Sequence, residues 1–393
     1  MNDATHAAFQ DRAQRQLQVD LIADPVRLPQ LGAAWESLNA CQSDHEAPFF
    51  QSHAWNLHVA RVRAQRSAHR YRLCVAMIRD GDRLIGIWPL SLQRMLGAWI
   101  ARSLDEPFGQ FAGVIFERKT DIAAGVAAAL EALRTSGLAD GLQLTNVIEG
   151  TSLYHALLNG GARDKVSNHA VYVDMSGYGS FSEFAQSVNK KTRKNLRNLL
   201  NRLKRVCEVE HTIADDPLRI RAMLTSAFDA RLEWMQEYAR TSPAFRDPDF
   251  RAIVESLTEA NGIDLLGFSF ASKASALSTQ WGFTYLGRYY AYMSGKNSRF
   301  DEFSPGRLHL GMVIEACKNR GIDILELMAP ASDYKLTWTD RRRPLHVLVM
   351  PFTFRGHVLL NILADMVISA SRSAARLLPQ AVRKRILNTL LNN

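Results

Sequence analysis

The chain has 393 residues, of which 47% are hydrophobic and 22% charged, and a formal net charge of +9. That is the composition of an ordinary globular protein long enough for two domains, and it excludes a disordered or fibrous chain. Four cysteines, Cys41, Cys74, Cys207 and Cys317, lie far apart and form no CxxC pair, which argues for a reducing compartment and against a structural zinc site.

Residues 1–20 are polar, without an apolar core of the kind a secretory signal needs, and are expected to be flexible. No uncharged apolar run reaches the length of a membrane span, so the expected location is cytoplasmic. The positive charge sits in two segments. Residues 190–205 hold eight Lys or Arg and no acid, and residues 341–393 hold nine against the single acid Asp365.

Taken in order, Pro29 to Ala40 reads as a short helix, with Leu31, Ala34, Trp35 and Leu38 on one face. Ser52 is placed to cap a second helix running to Val62. Tyr71 to Ile78 reads as a strand, Asp80-Gly81-Asp82 as a hairpin tip, and Leu84 to Leu92 as the returning strand or strand pair. Thr120 to Ser136 is an Ala-rich helix, Gly141 to Val147 a strand, Ser152 to Asn159 a short helix and Ala170 to Met175 a strand. A connector rich in turn formers, Met175 to Ser180, follows.

The second half opens with helices at Phe181–Ser187 and Val188–Val206, the latter with Leu196, Leu199, Leu200, Leu203 and Val206 at helical spacing beneath a basic face. Glu208 to Ile213 is a strand, and Pro217–Glu237 and Asp247–Ala260 are helical. Ile263–Phe270, Ala276–Tyr285 and Arg288–Ser294 are strands. Ser304 before Pro305 reads as a helix start, with Ser as N-cap and Pro at the first position. The helix runs to Arg320 and Gly321 closes it. Ile322–Leu327 is a strand, Ser332–Trp338 a short helix and Leu345–Phe354 a final strand. A basic helical tail ends the chain. Each half thus presents antiparallel strands, a long helix, a strand, a short helix and a strand, the order expected of two copies of one α/β unit.

The sequence contains no GxxxxGK[ST], no GxGxxG after a strand, no HExxH and no GxSxG. Phosphoryl transfer by a P-loop, zinc hydrolysis and the usual serine-hydrolase elbow are thereby disfavoured. The main positive is Ser304-Pro305-Gly306-Arg307. Capping alone explains these residues. A second reading is an anion seat, in which Gly306 lets a ligand approach the backbone and Arg307 adds a cation at the helix N-terminus.

A set of motifs, taken together, resembles the CelD-like acetyltransferase family of the GNAT superfamily, which is related to the FemAB-like double-GNAT transferases. They are Tyr289-Tyr290-Ala291-Tyr292, Phe303 to Leu308, Glu315-Ala316, Gly321, Asp333-Tyr334-Lys335 and Trp338. Phe50-Gln51-Ser52-His53-Ala54-Trp55, Gly86-Ile87-Trp88-Pro89-Leu90 and the basic helix extend the resemblance over roughly residues 45–355.

The resemblance implies an α/β fold of two fused GNAT-like units with mixed sheets, plus a helical C-terminal extension. The expected parts are a flexible 1–20, units at 21–175 and 176–355, and a basic tail at 356–393. It also implies direct acyl transfer from acyl-CoA, acetyl or longer, to an amine or hydroxyl of a small-molecule acceptor or an envelope or polysaccharide precursor. No metal is implied. Phe303, Ser304, Pro305, Gly306, Arg307 and Leu308 are expected to hold the CoA pyrophosphate. Tyr334 is expected to protonate the leaving thiolate, Asp333 or Glu326 to take a proton from the acceptor, and Lys335 to steady an acidic substrate or the oxyanion, the other reading of Asp333-Tyr334-Lys335 being a capped surface turn with an exposed Lys. Trp281, Tyr290, Tyr292 and Trp338 are candidates to line the acceptor site. Two alternatives stay open: a FemAB-like transferase using aminoacyl-tRNA bound by the basic helix, and a non-catalytic GNAT scaffold in polysaccharide export. The tail either packs on the body or contacts an anionic membrane peripherally.

Overall fold

The computed structural model describes residues 17–41, 48–238, 240–273 and 275–363. The chain forms two compact units. Among these residues the first holds those up to Lys165 and those from His346 onward, and the second holds Val166–Leu345. The chain passes between them once within the strand Arg163–Asp174 and once within the strand Arg342–Pro351.

The first unit begins with β1 (Gln18–Ile22), followed by α1 (Gly32–Asn39) and α2 (His53–Arg66). Helix α2 starts where the Ser52 hydroxyl accepts from the Trp55 amide, as a cap should. Strands β2 (Tyr71–Leu73), β3 (Val75–Asp80), β4 (Arg83–Trp88), β5 (Leu90–Met95), β6 (Ala98–Ser103) and β7 (Ile115–Phe116) follow, then α3 (Ile122–Thr135), β8 (Gly141–Ile148) and α4 (Ser152–Asn159). Strands β1, β3, β4 and β7 form one antiparallel sheet. A second runs in the order β8-β6-β5-β2, in which β6 and β8 are parallel. Leu90, Val126, Leu133, Leu142, Leu144 and Leu157 are buried in the core between sheet and helices.

Three expectations for this unit change. Part of the N-terminal stretch expected to be flexible is a strand: Gln18–Ile22 pairs with Val75–Arg79, because Val19 and Leu21 alternate onto the core. Residues 1–16 lie outside the described residues. The single strand Tyr71–Ile78 is two, parted at Cys74 and belonging to different sheets. Strand β6, which follows the Leu96-Gly97 turn, has no counterpart in the sequence reading.

The second unit is built from β9 (Arg163–Asp174), α5 (Phe181–Ser187), α6 (Lys190–Val206), β10 (Val209–Ala214), α7 (Pro217–Glu237), α8 (Phe250–Glu255), β11 (Asp264–Ser272), β12 (Ala276–Tyr285), β13 (Arg288–Lys296), α9 (Pro305–Asn319), β14 (Ile324–Met328), α10 (Asp333–Leu336) and the start of β15 (Arg342–Pro351). Its sheet runs β10-β11-β12-β13-β14-β9, antiparallel except for the β13–β14 pair. Helix α9 buries Leu308, Leu310, Val313, Ile314 and Cys317 against Phe268, Phe270, Tyr289 and Leu325. At roughly 1.5–3 kcal/mol for each large apolar side chain, that face fixes the helix on the sheet. The segment Asp247–Ala260 becomes helical only at Phe250 and ends in a 3-10 turn, Leu257–Glu259. Past β15 the short helix α11 (Phe354–His357) runs into a π-helical turn, Val358–Leu363. The rest of the expected helical tail lies outside the described residues.

Candidate functional site

Strands β13 and β14 pair over three residues only: Arg288 with Ile324, Tyr289 with Leu325 and Tyr290 with Glu326. Beyond that point β13 stays on β12 as far as Lys296. Strand β14 stays on β9, with a register irregularity between Glu326 and Met328 and a φ of 60° at Met328. Pairing across the gap therefore stops, and the edges Ala291–Ser294 and Leu327–Met328 carry backbone groups that no ladder between them satisfies.

Helix α9 connects the two parted strands. Its start differs from the sequence expectation. Ser304 is left-handed, with φ 50° and ψ 55°, and its side chain makes no capping hydrogen bond. The Ser304 carbonyl instead accepts from the amides of Arg307 (3.0 Å) and Leu308 (3.3 Å). Pro305 has no amide hydrogen. Among the described residues this leaves Gly306 with the one unpaired amide of the first turn. A Cβ added at Gly306 would meet nothing within 4 Å, so the space above it is open. Arg307 is half-buried and its Nε is buried without a partner. Phe303, Pro305 and Leu308 are buried. Of the six residues expected to hold pyrophosphate, Ser304, Gly306 and Arg307 are thus open to a ligand, and the other three pack.

Asp333-Tyr334-Lys335 forms α10, just past the end of β14. Asp333 is exposed. Burial pushes the pKa of Tyr334 up, while Ser294 of β13, Arg231 and Ser332 beside its hydroxyl act the other way. Lys335 is buried and its Nζ donates to the carbonyls of Met328 (3.0 Å) and Pro330 (3.1 Å). Burial first, and the nearby Arg231 second, bring its pKa down to about 7. The two side chains thus reach opposite edges of the gap.

Arg231, on α7, was not found by sequence reasoning. It is half-buried, its guanidinium lies 4.5 Å from the Trp234 ring centroid, and it interacts electrostatically with both Tyr334 and Lys335. Burial lowers its pKa. Among the described residues neither Arg231 nor Lys335 has a carboxylate partner.

Residues 190–336 match the acetyltransferase (GNAT) domain family. Two solved structures are similar over most of the chain. "Crystal structure of FemX" superposes with a TM-score of 0.57 at 11% identity, covering 80% of this chain and 95% of that one. A conserved protein of unknown function from Bacteroides thetaiotaomicron VPI-5482 superposes at 0.52 with 12% identity, covering 85% of this chain and all of that one. Identities this low speak to the fold alone. No curated protein sequence matches the chain. The fold is α/β and GNAT-like, with a strand–helix–parallel strand crossover in each unit.

Within the GNAT-like second unit the other expected site residues fall into place differently. Glu326 is fully buried. Its carboxylate accepts from Arg288 (3.0 Å) and Arg343 (2.9 and 3.0 Å). Two guanidiniums hold it as a structural counter-ion, so the proton-accepting role does not suit it. Trp338 packs on α9, where a Cβ at Gly311 would lie 2.3 Å from its ring, and its Nε1 donates to the Arg307 carbonyl at 3.3 Å. It braces the helix start from behind and does not line an acceptor site. Trp281 and Tyr290 are fully buried core residues. Tyr292 is half-buried, with ring centroids 5.2 Å from Trp281 and 5.1 Å from Phe283. Among the described residues no cluster of His, Cys, Asp or Glu is arranged to hold a metal, and no helix is long and apolar enough to cross a membrane.

Proposed function

We propose that the protein is an acyltransferase moving an acyl group from acyl-CoA to an amine or hydroxyl of a small metabolite or an envelope or polysaccharide precursor. The observation that carries this reading is the parting of β13 from β14 beside the start of α9, inside the stretch similar to a GNAT acetyltransferase domain. An extended ligand can add its own hydrogen bonds to the free edge of β13. The open Gly306 amide and the Arg307 guanidinium, whose buried Nε lacks an acceptor, suit a pyrophosphate.

The chemistry then falls to α10. A neutral amine has two N–H donors and one lone pair. The Met328 and Pro330 carbonyls take both donors of Lys335, leaving its lone pair for the proton of the attacking acceptor. As the new bond to the carbonyl carbon forms and the C–S bond breaks, the Tyr334 hydroxyl gives its proton to the departing thiolate. Arg231, a cation without a carboxylate, favours an acceptor that brings a negative group. Asp333, exposed at the first turn of α10, stands outside this exchange.

Thermal melting with CoA, acetyl-CoA and longer acyl-CoAs tests the reading. Ligand at a hundredfold its Kd stabilises by about 2.7 kcal/mol, a rise of a few degrees. Arg307→Glu should abolish the rise while leaving the melting point without ligand near that of the parent. Absence of a shift with every CoA ester overturns the proposal.

A further inference from the structure

Helix α6 spends positive charge in a way that the fold itself does not answer. Its 17 residues make a rod about 26 Å long. One side is buried through Leu196, Leu199 and Leu203. Lys190, Lys191, Lys194, Arg197, Arg202, Lys204 and Arg205 are all exposed. At 100° per residue these seven fall within roughly 160° of the circumference and run from the first turn to the last.

Several features of this face work against the helix. Lys190 and Lys191 sit in the first turn, where the helix dipole disfavours cations. Lys190 and Lys194 are an i,i+4 pair of like charge, and Lys194 and Arg197 an i,i+3 pair. Among the described residues only Arg202 has an acid within reach, Glu302 at 3.4 Å, itself exposed. Among the described residues the other six have no acidic partner. No acid among the described residues relieves the repulsion on these six.

We propose that the exposed face of α6 is a docking surface for an anionic lipid membrane. A plane suits it. The charges run the full length of a rod whose opposite face is fixed to the body, so they present one continuous cationic strip to a surface. Asn195, Asn198 and Asn201 are interspersed and no aromatic residue lies on the helix, so there is no platform on which unpaired bases could stack. The chain's second basic concentration is built alike in sequence. Val358, Leu359, Ile362, Leu363, Met366 and Val367 form an apolar series, followed by Arg372, Arg376 and Arg383-Lys384-Arg385.

Each cation brought to an anionic surface is worth roughly a fivefold gain in partitioning, so a few neutralised side chains produce a large, readable loss. The experiment is co-flotation of the full chain with vesicles of phosphatidylcholine alone and vesicles with phosphatidylserine added. The parent chain should float with the second and not the first, and high salt should release it. A chain with Lys190→Gln, Lys194→Gln, Arg197→Gln and Lys204→Gln should lose binding by more than a hundredfold. All four positions are exposed, and an unchanged melting point shows that the variant is folded. Equal flotation of parent and variant overturns the proposal, since another segment would then carry the binding. Failure of the parent to float overturns it too. Retention of the parent by duplex or single-stranded RNA without flotation assigns the face to nucleic acid instead. None of these readouts requires acyl transfer, so they stand or fall apart from the function proposed above.

Discussion

Lys335 gives the sharpest test of the site, because its environment makes stability depend on pH in a calculable way. Folding lowers its pKa from 10.5 to about 7, mainly through burial. Between those values the unfolded chain keeps a proton that the folded protein has lost. The unfolded state therefore binds more protons, and stability rises with pH, by up to about 1.4 kcal/mol per pH unit. Below pH 7 both states are protonated and the folded state carries a buried ammonium. Across the whole window the difference is on the order of 5 kcal/mol. Lys335→Met removes the titration and also the hydrogen bonds to Met328 and Pro330, an offset of about 1–3 kcal/mol that does not change with pH. Urea denaturation of parent and variant from pH 6.5 to 9.5 isolates the effect, because other groups cancel in the difference. The parent should gain about 3 kcal/mol on the variant across that range. A difference that stays flat would refute the depressed pKa, and with it Lys335 as the proton acceptor. If transfer is observed, its rate should fall as pH drops through about 7, as Lys335 becomes protonated.

Two further outcomes follow from the same unit. Glu326→Ala leaves Arg288 and Arg343 buried around a missing carboxylate and should lose about 3–5 kcal/mol in urea denaturation. A loss below about 1 kcal/mol would show that Glu326 is not a structural counter-ion. Gly306→Ala meets open space and favours the helix, so it should gain about 0.5–1 kcal/mol in stability. Its methyl group should nonetheless weaken the CoA-dependent rise in melting point. An undiminished rise would remove Gly306 from the ligand seat.

Much of the fold was legible wherever local chemistry and global packing agree. Ser152–Asn159, Phe181–Ser187 and Pro217–Glu237 have the bounds read from sequence, and the side chains of Thr151, Ser180 and Asp216 cap them. The failures have physical causes. Cys74 lies in an unbroken buried run, and nothing in such a run tells a strand that it changes sheets there. Ser304 reads as a cap by residue type but adopts a left-handed backbone, so its carbonyl does what its hydroxyl was expected to do. Residues 303–308 and 333–335 could be nominated from sequence because each set is contiguous. Arg231 was not, since α7 is distant in sequence and only tertiary packing brings it beside Lys335. The pairing of Glu326 with two arginines was not visible in sequence for the same reason. Its two guanidiniums come from different strands, and register alone brings them to one carboxylate.

The two units also explain why one site is expected and not two. In the first, β6 and β8 run parallel through Ile100–Gly141 and Ala101–Leu142, and their ladder then ends as that of β13 and β14 does. There, however, the chain fills its own gap. Ala112 bridges to Val147, its amide donating to the Asn146 carbonyl at 3.1 Å. Asp105, beside Glu106, is buried and accepts from the Trp55 indole at 2.7 Å. The free edge of β8 is thus already occupied by protein. In the second unit no segment among the described residues pairs with the facing edges of β13 and β14 beyond Tyr290 and Glu326, although β13 stays on β12 and β14 on β9. In the function proposed above, the unpaired backbone edge, flanked by cations without acids among the described residues, takes an extended, negatively charged ligand. The same crossover in the first unit, with its gap filled, offers no such open edge.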